Sequence, residues 1–283
     1  MERSGFKQAS LGCLLCLLSL SAGCVFNMAD WGMPAKYERT IHLSAALPAG
    51  STFAAQTHNG SVTIKGVDVA DCNLTATIVG QASTDEVARE LAEKTQVTLV
   101  ASDKKLTVKI DKPTVRTNQS VGVSLNGTVP NKTDLELLTH NGGVEITNIT
   151  GRVNATTHNG KVTAENVLGA IVLETHNGTI NCTEISGDAQ LKTHNGNVKA
   201  SYAQAAPEVR NISVVTHNGS IEFAAPPGLS AQVEAVTHNG SVHTDLPVTV
   251  VGKVSKNELK GTIGAGQGAK LHLETHNGSI RIR

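Results

Sequence analysis

Histidine is the residue type of this chain whose chemistry and spacing point to a functional site. Eight of the eleven histidines stand in the second place of the tetrapeptide Thr-His-Asn-Gly. Four of them, His140, His158, His176 and His194, follow one another at a fixed step of 18 residues. Neutral imidazole is the commonest metal ligand, and its charge changes near physiological pH. The spacing therefore predicts a row of imidazoles that binds metal or protons, provided that the fold stacks the four copies.

The metal interpretation and a structural interpretation of this row both fit the sequence. Two imidazole nitrogens on one Zn²⁺ or Cu²⁺ would lie roughly 3.4 Å apart, which neighbouring strands permit if the rings lean together. The adjacent positions offer Asn, Gly, Ser, Thr and Lys161 instead of carboxylate or thiolate, so further ligands are not evident. In the structural interpretation, the rings stack on one another and bond the corner backbone. Repulsion between neighbouring cations should then lower the histidine pKa values below about 6.5 and leave the row mostly neutral at pH 7.

The residues around the tetrapeptide alternate with the period of a β-strand. Within residues 135–200, each unit carries apolar residues of one parity up to the threonine, as in Val153, Ala155 and Thr157. Apolar residues alternate again after the tetrapeptide. Such a unit is two strands with one apolar face, joined by two corners, and it cannot fold alone. The threonine is expected to point inward and the histidine outward.

Two architectures fit this repeat. Asn-Gly between alternating strands is a strong hairpin signal and would give an antiparallel meander. In a parallel β-solenoid, the corners turn the chain around an axis and equivalent residues stack about 4.8 Å apart. The solenoid is favoured because equivalent residues of successive coils contact one another in it, so that an identical tetrapeptide in every coil forms the same favourable contacts at each step. Gly or Asn at positive φ would form the corner, and the amides would bond from rung to rung. The predicted corner residues are Asn141, Gly142, Asn159, Gly160, Asn177, Gly178, Asn195 and Gly196.

The other copies of the tetrapeptide extend the repeat domain over residues 41–283. The repeat is interrupted at 83–112, where Ser83 or Thr84 would cap one short helix and a β-hairpin follows it. The regular 18-residue coils occupy 135–200. The fold class is therefore all-β, a single elongated parallel β-solenoid with a helix and hairpin inserted near 84–110.

The C-terminal copies are spaced irregularly. Extra residues near 205–208 and 225–228 are expected to bulge out. The step of 38 residues from Thr237 to Thr275 predicts a middle coil without the tetrapeptide. The last strands would then close the solenoid, with Arg281 and Arg283 protecting its exposed edge.

The composition agrees with strands and turns and excludes some partners. Aromatic residues make up only 2% of the chain, and 27 glycines accompany many aliphatic residues. The 24 basic and 24 acidic residues balance, so a nucleic-acid partner is not expected, because phosphate binding needs clustered basic charge. The acids Glu145, Glu165, Glu174 and Glu184 occupy different unit positions. A pair of catalytic carboxylates is therefore not expected.

Residues 1–23 have the pattern of a secretory signal peptide. Basic residues precede an apolar run from Leu11 to Leu20, and Ser-Ala-Gly leads to Cys24. This resembles the bacterial lipobox, which implies cleavage before Cys24 and diacylglycerol on its sulfur. An ordinary signal peptide or a short anchor helix is the alternative, although a spanning helix needs about 20 apolar residues. Residues 24–40 would then tether the domain to the membrane, which is the outer membrane in a Gram-negative cell.

Two cysteines would remain unmodified in the mature chain. Cys72 and Cys182 share the parity of neighbouring apolar residues, so both are expected to lie in the core. Free thiols are the prediction, because two cysteines make no disulfide framework. A disulfide between them is the alternative.

Several segments together resemble a known family. The strand–Thr-His-Asn-Gly–strand coils, the helix and hairpin, the segment Val-Pro-Asn-Lys-Thr-Asp-Leu at 129–135 and the run Gly-Ala-Gly-Gln-Gly at 264–268 are similar to candidate bacterial adhesins built from β-strand repeats. That family is a domain of unknown function in envelope proteins. The resemblance covers about residues 41–283 and implies a right-handed β-solenoid without established catalytic residues.

The predicted function is that of a non-catalytic, lipid-anchored envelope protein, either adhesin-like or structural. Its partners would be the membrane, through the lipid, and an envelope glycan or protein. One alternative is a metal- or pH-responsive binding protein that uses the histidine row. The other is a polysaccharide-acting enzyme.

Overall fold

The computed structural model describes residues 35–204, 211–251, 255–266 and 268–283. The predicted signal peptide, Cys24 and most of the predicted tether lie outside these ranges. The first strand begins at Ala35, so the strand region starts before the predicted boundary at 41. Within the four ranges, no helix has the length and apolar character needed to cross a bilayer.

The central part of the chain is a parallel β-solenoid and not a meander. Each 18-residue unit gives one strand to each of two sheets, and consecutive units pair in parallel register, for example Val153 with Ile171 and Thr157 with Thr175. Inward-facing residues of both sheets form the core, as the alternation predicted. The strands of this part are β8 (Asp134–Asn141), β9 (Val144–Ile149), β10 (Val153–Asn159), β11 (Val162–Val167), β12 (Ile171–Asn177), β13 (Ile180–Ile185), β14 (Ala189–Asn195) and β15 (Val198–Tyr202).

The N-terminal part contains one early coil and the predicted insertion. Its elements are β1 (Ala35–Ala46), β2 (Thr52–Gln56), β3 (Val62–Val67), β4 (Asp71–Ala82), α1 (Asp85–Lys94), β5 (Gln96–Ser102), β6 (Lys105–Asp111) and β7 (Ser120–Pro130). The early coil, β2 and β3, pairs directly with β8 and β9. The chain between them leaves the solenoid, adds antiparallel β4 and β7 to one sheet and the β5–β6 hairpin to the other, and then returns.

The predicted helix and hairpin are confirmed. The Thr84 side chain caps α1 by accepting a hydrogen bond from the Val87 backbone N–H. Ala88, Leu91 and Ala92 form the buried face of the helix, so small residues let it lie close to the sheet. The N-cap places the start of the helix, because it satisfies a backbone donor that has no partner inside the helix.

The C-terminal part differs from the prediction. Its strands are β16 (Asn211–Asn218), β17 (Ile221–Ala224), β18 (Ala231–Asn239), β19 (Val242–Thr244), β20 (Val248–Val250), β21 (Glu258–Ile263), β22 (Ala269–Asn277) and β23 (Ile280–Ile282). β22 lies between β16 and β18, and β23 lies between β17 and β19. The last coil of the chain is thus an inner rung, and the coil that precedes it in sequence is the outer one.

The predicted middle coil between Thr237 and Thr275 is wrong. β20 and β21 instead form an antiparallel hairpin that covers the edge of β18. The residues at 225–228, predicted to bulge, belong to the connection from β17 to β18, which spans the width of one further rung. The bulge predicted at 205–208 lies outside the described residues. Arg281 and Arg283 form ion pairs with Asp245 and Glu222 and do not guard a free edge.

The core between the two sheets is aliphatic, with a row of buried threonines. Phe53 and Phe223 are its largest fully buried side chains. Cys72 and Cys182 are buried free thiols, as predicted, and the alternative disulfide is absent. Burial disfavours the thiolate and raises the pKa of both thiols to about 12.

Candidate functional site

The threonine of each tetrapeptide is an internal connector between rungs. Its side chain is buried in the core. Thr157 Oγ1 donates a hydrogen bond of 2.9 Å to the carbonyl oxygen of Gly142 in the preceding rung. Thr175 does the same with Gly160 at 3.0 Å. The inward hydroxyl therefore has its partner inside the fold and is not available to a ligand.

The asparagines of the tetrapeptide form a continuous ladder of side-chain amides. From the second rung onward, each Nδ2 donates to the Oδ1 of the asparagine on the preceding rung, for example Asn159 to Asn141 at 2.8 Å. All eight copies take part, and the bonds measure 2.7 to 2.8 Å. We call this set the asparagine ladder; in spatial order it consists of Asn59, Asn141, Asn159, Asn177, Asn195, Asn218, Asn277 and Asn239. The predicted rung-to-rung amide bonding is confirmed.

The glycines of the tetrapeptide are required by close stacking. A Cβ at Gly160 would lie 2.0 Å from the carbonyl oxygen of Gly142, and one at Gly196 would lie 2.0 Å from that of Gly178. A side chain there would collide with the backbone of the neighbouring rung. Glycine is therefore needed at this corner because the backbone of the neighbouring rung lies so close to it.

The prediction that these Gly or Asn residues take a positive φ is wrong for the regular rungs. The left-handed residues lie at the second corner of the unit, where φ is 60° at Asn148, 51° at Asn166 and 55° at Glu184. Asn166 Nδ2 also donates to Asn148 Oδ1 at 2.8 Å. Asparagine tolerates the left-handed region better than most residues, which explains its use at this corner.

The histidines of all eight tetrapeptides form one column outside the solenoid, which we call the histidine column. Neighbouring ring centroids are 4.7 to 4.9 Å apart. The spatial order is His58, His140, His158, His176, His194, His217, His276 and His238. The sequence predicted such a row for the four evenly spaced histidines. Neither the insertion nor the reordered last coil interrupts it.

One ring of the histidine column is turned relative to the others. The parallel pairs deviate by at most 9°, but His176 makes angles of 72° with His158 and 77° with His194. Such edge-to-face contacts are a favoured arrangement of aromatic rings. The Nδ1 atom of His176 is buried and finds no hydrogen-bond partner among the described residues. The column therefore divides at this rung into two stacked segments.

The environment of the histidine column disfavours protonation at His140. The pKa of His140 lies below its usual value because loss of hydration disfavours the imidazolium, and because His58 and His158 on either side repel a positive charge. This is the direction predicted for a row of neighbouring imidazoles.

A groove of about 800 Å³ runs beside the first five rings of the histidine column, and we call it the column groove. The residue before each threonine also lines it, as do four residues at and just after the end of the β5–β6 hairpin. These lining residues are Gln56, Leu138, Thr156, Glu174 and Lys192 from the rungs, and Val108, Lys109, Ile110 and Lys112 from the hairpin and the residue after it. The hairpin contributes because β6 pairs in parallel with β2, beside the first rung.

The described part of the chain contains no group of three or more His, Cys, Asp or Glu side chains that could hold a metal ion. Two nitrogens on one Zn²⁺ lie roughly 3.4 Å apart, so rings with centroids 4.7 to 4.8 Å apart would have to lean together. Metal binding by His140, His158, His176 and His194 stays a prediction.

The carboxylates of the regular coils do not face one another. The strand register places Glu145 opposite Thr163 and Glu165 opposite Thr147. Glu174 lies 3.3 Å from Lys192 in an ion pair. A pair of acids across one groove, which glycoside hydrolysis uses, is thus not formed by these residues.

Sequence reasoning found the histidine column but missed the column groove. The groove depends on the parallel pairing of β6 with β2, which joins residues about fifty positions apart and leaves no local signal. The alternation of Lys105–Asp111 predicted a strand, but not the rung on which that strand would lie.

Comparison with known proteins connects this fold to a described family. The family model Toastrack DUF4097 matches residues 90–283. No curated protein matches the chain. Three similar solved structures are a candidate cell adhesion protein from Clostridium sporogenes (13% identity, TM-score 0.37, 88% of this chain and 98% of that chain), a candidate adhesin from Bacteroides fragilis (12%, 0.42, 86% and 97%) and a candidate adhesin from Parabacteroides distasonis (11%, 0.42, 86% and 97%).

Proposed function

Because the chain belongs to the Toastrack DUF4097 family, we propose that it is a non-catalytic module of the bacterial cell envelope whose solenoid presents a binding surface. The surface is adhesin-like in the sense that it would contact an envelope glycan or protein at many weak points along the repeat. Repetition favours such contacts, because each rung offers the same groups at the same spacing.

This proposal rests on one observation: of the four residues of the tetrapeptide, three hold neighbouring rungs together and only the histidine does not. The threonine hydroxyl, the asparagine amide and the glycine backbone each contact a neighbouring rung, as in the bonds of Thr157 and Asn159 to the preceding rung. The imidazole is the one side chain of the four that faces solvent without a rung-to-rung hydrogen bond. A repeated, outward-facing group on a rigid scaffold is typical of binding and not of catalysis, which needs several different groups at one point.

The N-terminal sequence supports placing this module at a membrane. The apolar run Leu11–Leu20 followed by Ser-Ala-Gly and Cys24 fits lipid attachment at the cysteine sulfur. The mature chain would then be tethered by its N-terminus, with the solenoid beyond the membrane surface. In a Gram-negative cell, the outer membrane is the proposed site.

Fractionation and affinity capture test the proposal together. The full chain should enter the membrane fraction and incorporate radiolabelled palmitate, and Cys24→Ser should incorporate none. The immobilised solenoid should retain envelope glycan or protein. Equal palmitate labelling of Cys24→Ser and the full chain contradicts the anchor, and a solenoid that retains no envelope component contradicts the binding role. Release of reducing sugar ends from envelope polysaccharide would contradict the non-catalytic assignment.

A second candidate function is a metal- or pH-responsive binding protein. It is favoured by the outward imidazoles on adjacent rungs, such as His140 and His158, whose ring centroids are 4.7 Å apart. Calorimetric titration with Zn²⁺, Cu²⁺ and Ni²⁺ tests the metal part. The column should take up an ion with release of protons if rings lean together, whereas no heat with any of the three ions rejects metal binding.

A further inference from the structure

We propose that the column groove binds a linear carboxylated glycan along the histidine column, and that binding strengthens as the imidazoles take up protons below neutral pH. This inference rests on the proposed function and gives it a ligand class. It concerns the first five rungs only, where the groove exists, and not the rungs of His217, His276 and His238.

The shape of the groove fits an extended chain. Five imidazoles from His58 to His194 stand in one line, with successive centroids 4.7 to 4.8 Å apart. Four strand spacings make the line about 19 Å long. A second line of side chains, from Gln56 to Lys192, runs parallel to it along the same rungs. A linear polymer laid between the two lines would meet equivalent groups at every rung.

The charges that face the groove favour an anion once histidines are protonated. The cations are Lys192 on the rungs and Lys109 and Lys112 on the hairpin. Lys192 is already paired with Glu174 at 3.3 Å, and Lys109 with Asp111 at 3.2 Å. The fixed charges therefore nearly cancel at neutral pH.

Protonation changes this balance because each imidazolium adds one positive charge to the line. In the empty groove, loss of hydration and the neighbouring His58 and His158 oppose protonation of His140 and lower its pKa. A carboxylate beside the column removes part of the repulsion from these neighbours. Ligand binding and proton uptake therefore support each other, and each must strengthen the other by the same factor.

The chemistry of the lining favours a glycan over a nucleic acid. A neutral imidazole offers one donor and one acceptor, which suits sugar hydroxyls. Gln56 and Thr156 add amide and hydroxyl groups of the same kind. None of the described residues that line the groove is Phe, Tyr or Trp, whereas proteins that bind single strands stack bases on such rings.

Calorimetric titration of the folded chain with oligogalacturonate tests the inference. Binding should be at least about tenfold tighter near pH 5.5 than near pH 7.5, with net proton uptake, because imidazole changes charge between these values. Neutral dextran oligomers of equal length should bind more weakly than oligogalacturonate near pH 5.5 and should not gain affinity as the pH falls. Equal affinity at the two pH values, or no binding of oligogalacturonate, overturns the inference.

Two matched variants locate the site on the column. The triple change His140→Gln, His158→Gln and His176→Gln should abolish the binding near pH 5.5. The triple change His217→Gln, His276→Gln and His238→Gln alters the same column outside the groove and should bind like the parent. Equal losses in the two variants contradict a groove site. If the first variant does not fold, Lys109→Gln with Lys112→Gln should weaken binding at least about threefold, and an unchanged affinity overturns the inference.

Single-stranded oligothymidylate and a polyphosphate chain distinguish the glycan from other linear anions. Either one binding as tightly as oligogalacturonate would overturn the glycan assignment. If affinity capture retains an envelope protein or a neutral glycan while oligogalacturonate fails to bind, the envelope role stands and this ligand class is rejected. Failure of both experiments would reject the proposed function as well.

Discussion

The side-chain amide of Asn141 donates a hydrogen bond to the side-chain oxygen of Asn59 at 2.8 Å, although 82 residues separate the two asparagines in the sequence. The bond joins the early coil to the first regular coil, across the point where the helix and hairpin are inserted. The same bond recurs at every later rung. The asparagine ladder therefore holds the register of the solenoid across both of its irregular regions.

Removing one member from the middle of the asparagine ladder should destabilise the solenoid. Asn159 donates to Asn141 and accepts from Asn177, so Asn159→Ala breaks two hydrogen bonds. We expect a loss of about 1–2 kcal/mol in the free energy of unfolding, measured by chemical denaturation. Asn154→Ala on the exposed face of the same strand is the control and should change stability by less than about 0.5 kcal/mol. Equal losses in the two variants would show that the ladder carries no stability.

Replacing a tetrapeptide glycine, Gly160, by alanine should reduce stability more than the same change at Gly143, the residue that follows a tetrapeptide. Gly160→Ala places a methyl group 2.0 Å from the carbonyl oxygen of Gly142, whereas the nearest atom to a methyl at Gly143 is the Lys161 oxygen at 3.2 Å. We expect Gly160→Ala to lower the free energy of unfolding by about 2 kcal/mol or more, because backbone must move apart. Gly143→Ala should cost clearly less. Thermal unfolding of both variants checks this order, and a reversed order would contradict the stacking argument.

The sequence predicted the rung itself and the stacking of consecutive coils within 135–200, but not which rungs are neighbours elsewhere. Alternation placed Thr157 inside and His158 outside, because the strand period alone decides which face a residue occupies. The pairing of the early coil with the coil of Thr139, and of the last coil with that of Thr216, was not predictable. All eight tetrapeptides are identical, so local sequence does not distinguish one stacking partner from another. The sequence predicted that tetrapeptide glycines such as Gly160 need a positive φ. The structure instead requires glycine there because the backbone of the neighbouring rung leaves no room for a Cβ.

Stability should fall as the pH drops through the histidine range. The folded pKa of His140 is depressed by lost hydration and by its neighbours His58 and His158, so the unfolded chain binds protons more readily. The stability that this depression contributes is present above the unfolded pKa of about 6.5 and is lost as the pH falls through the folded pKa. Urea unfolding at a series of pH values should show a decreasing midpoint below pH 6.5. His140→Gln should flatten that dependence, whereas His42→Gln outside the column should not.

Because the last coil is an inner rung, an apolar residue of that coil should contribute more to stability than an apolar residue of the hairpin at the outer edge. Leu273 on β22 is fully buried between two flanking strands, while Val250 on the edge hairpin is 38% exposed. Leu273→Ala should cost about 2–5 kcal/mol in the free energy of unfolding, and Val250→Ala under about 1 kcal/mol. Hydrogen exchange should show slower amides in β22 than in β20. Fast exchange throughout β22 would indicate that the last coil is an outer rung after all.

The two core thiols should be inert in the folded protein. Burial raises the pKa of Cys72 and Cys182 to about 12, so almost no thiolate is present at pH 8. Ellman's reagent should react with neither cysteine until denaturant is added and with both afterwards. Rapid reaction of the folded chain at either position would contradict their placement between the sheets.

Disulfide trapping along the histidine column tests the central claim, that all eight tetrapeptides stack in one line with the last copy between the two before it. Neighbouring parallel strands lie about 4.8 Å apart, within the Cα separation that a disulfide spans, and alternate rungs lie roughly 9.6 Å apart, beyond it. The pair His217→Cys and His276→Cys should therefore form a disulfide under mild oxidation, and the pair His217→Cys and His238→Cys should not. A disulfide in the second pair and none in the first would contradict the claim.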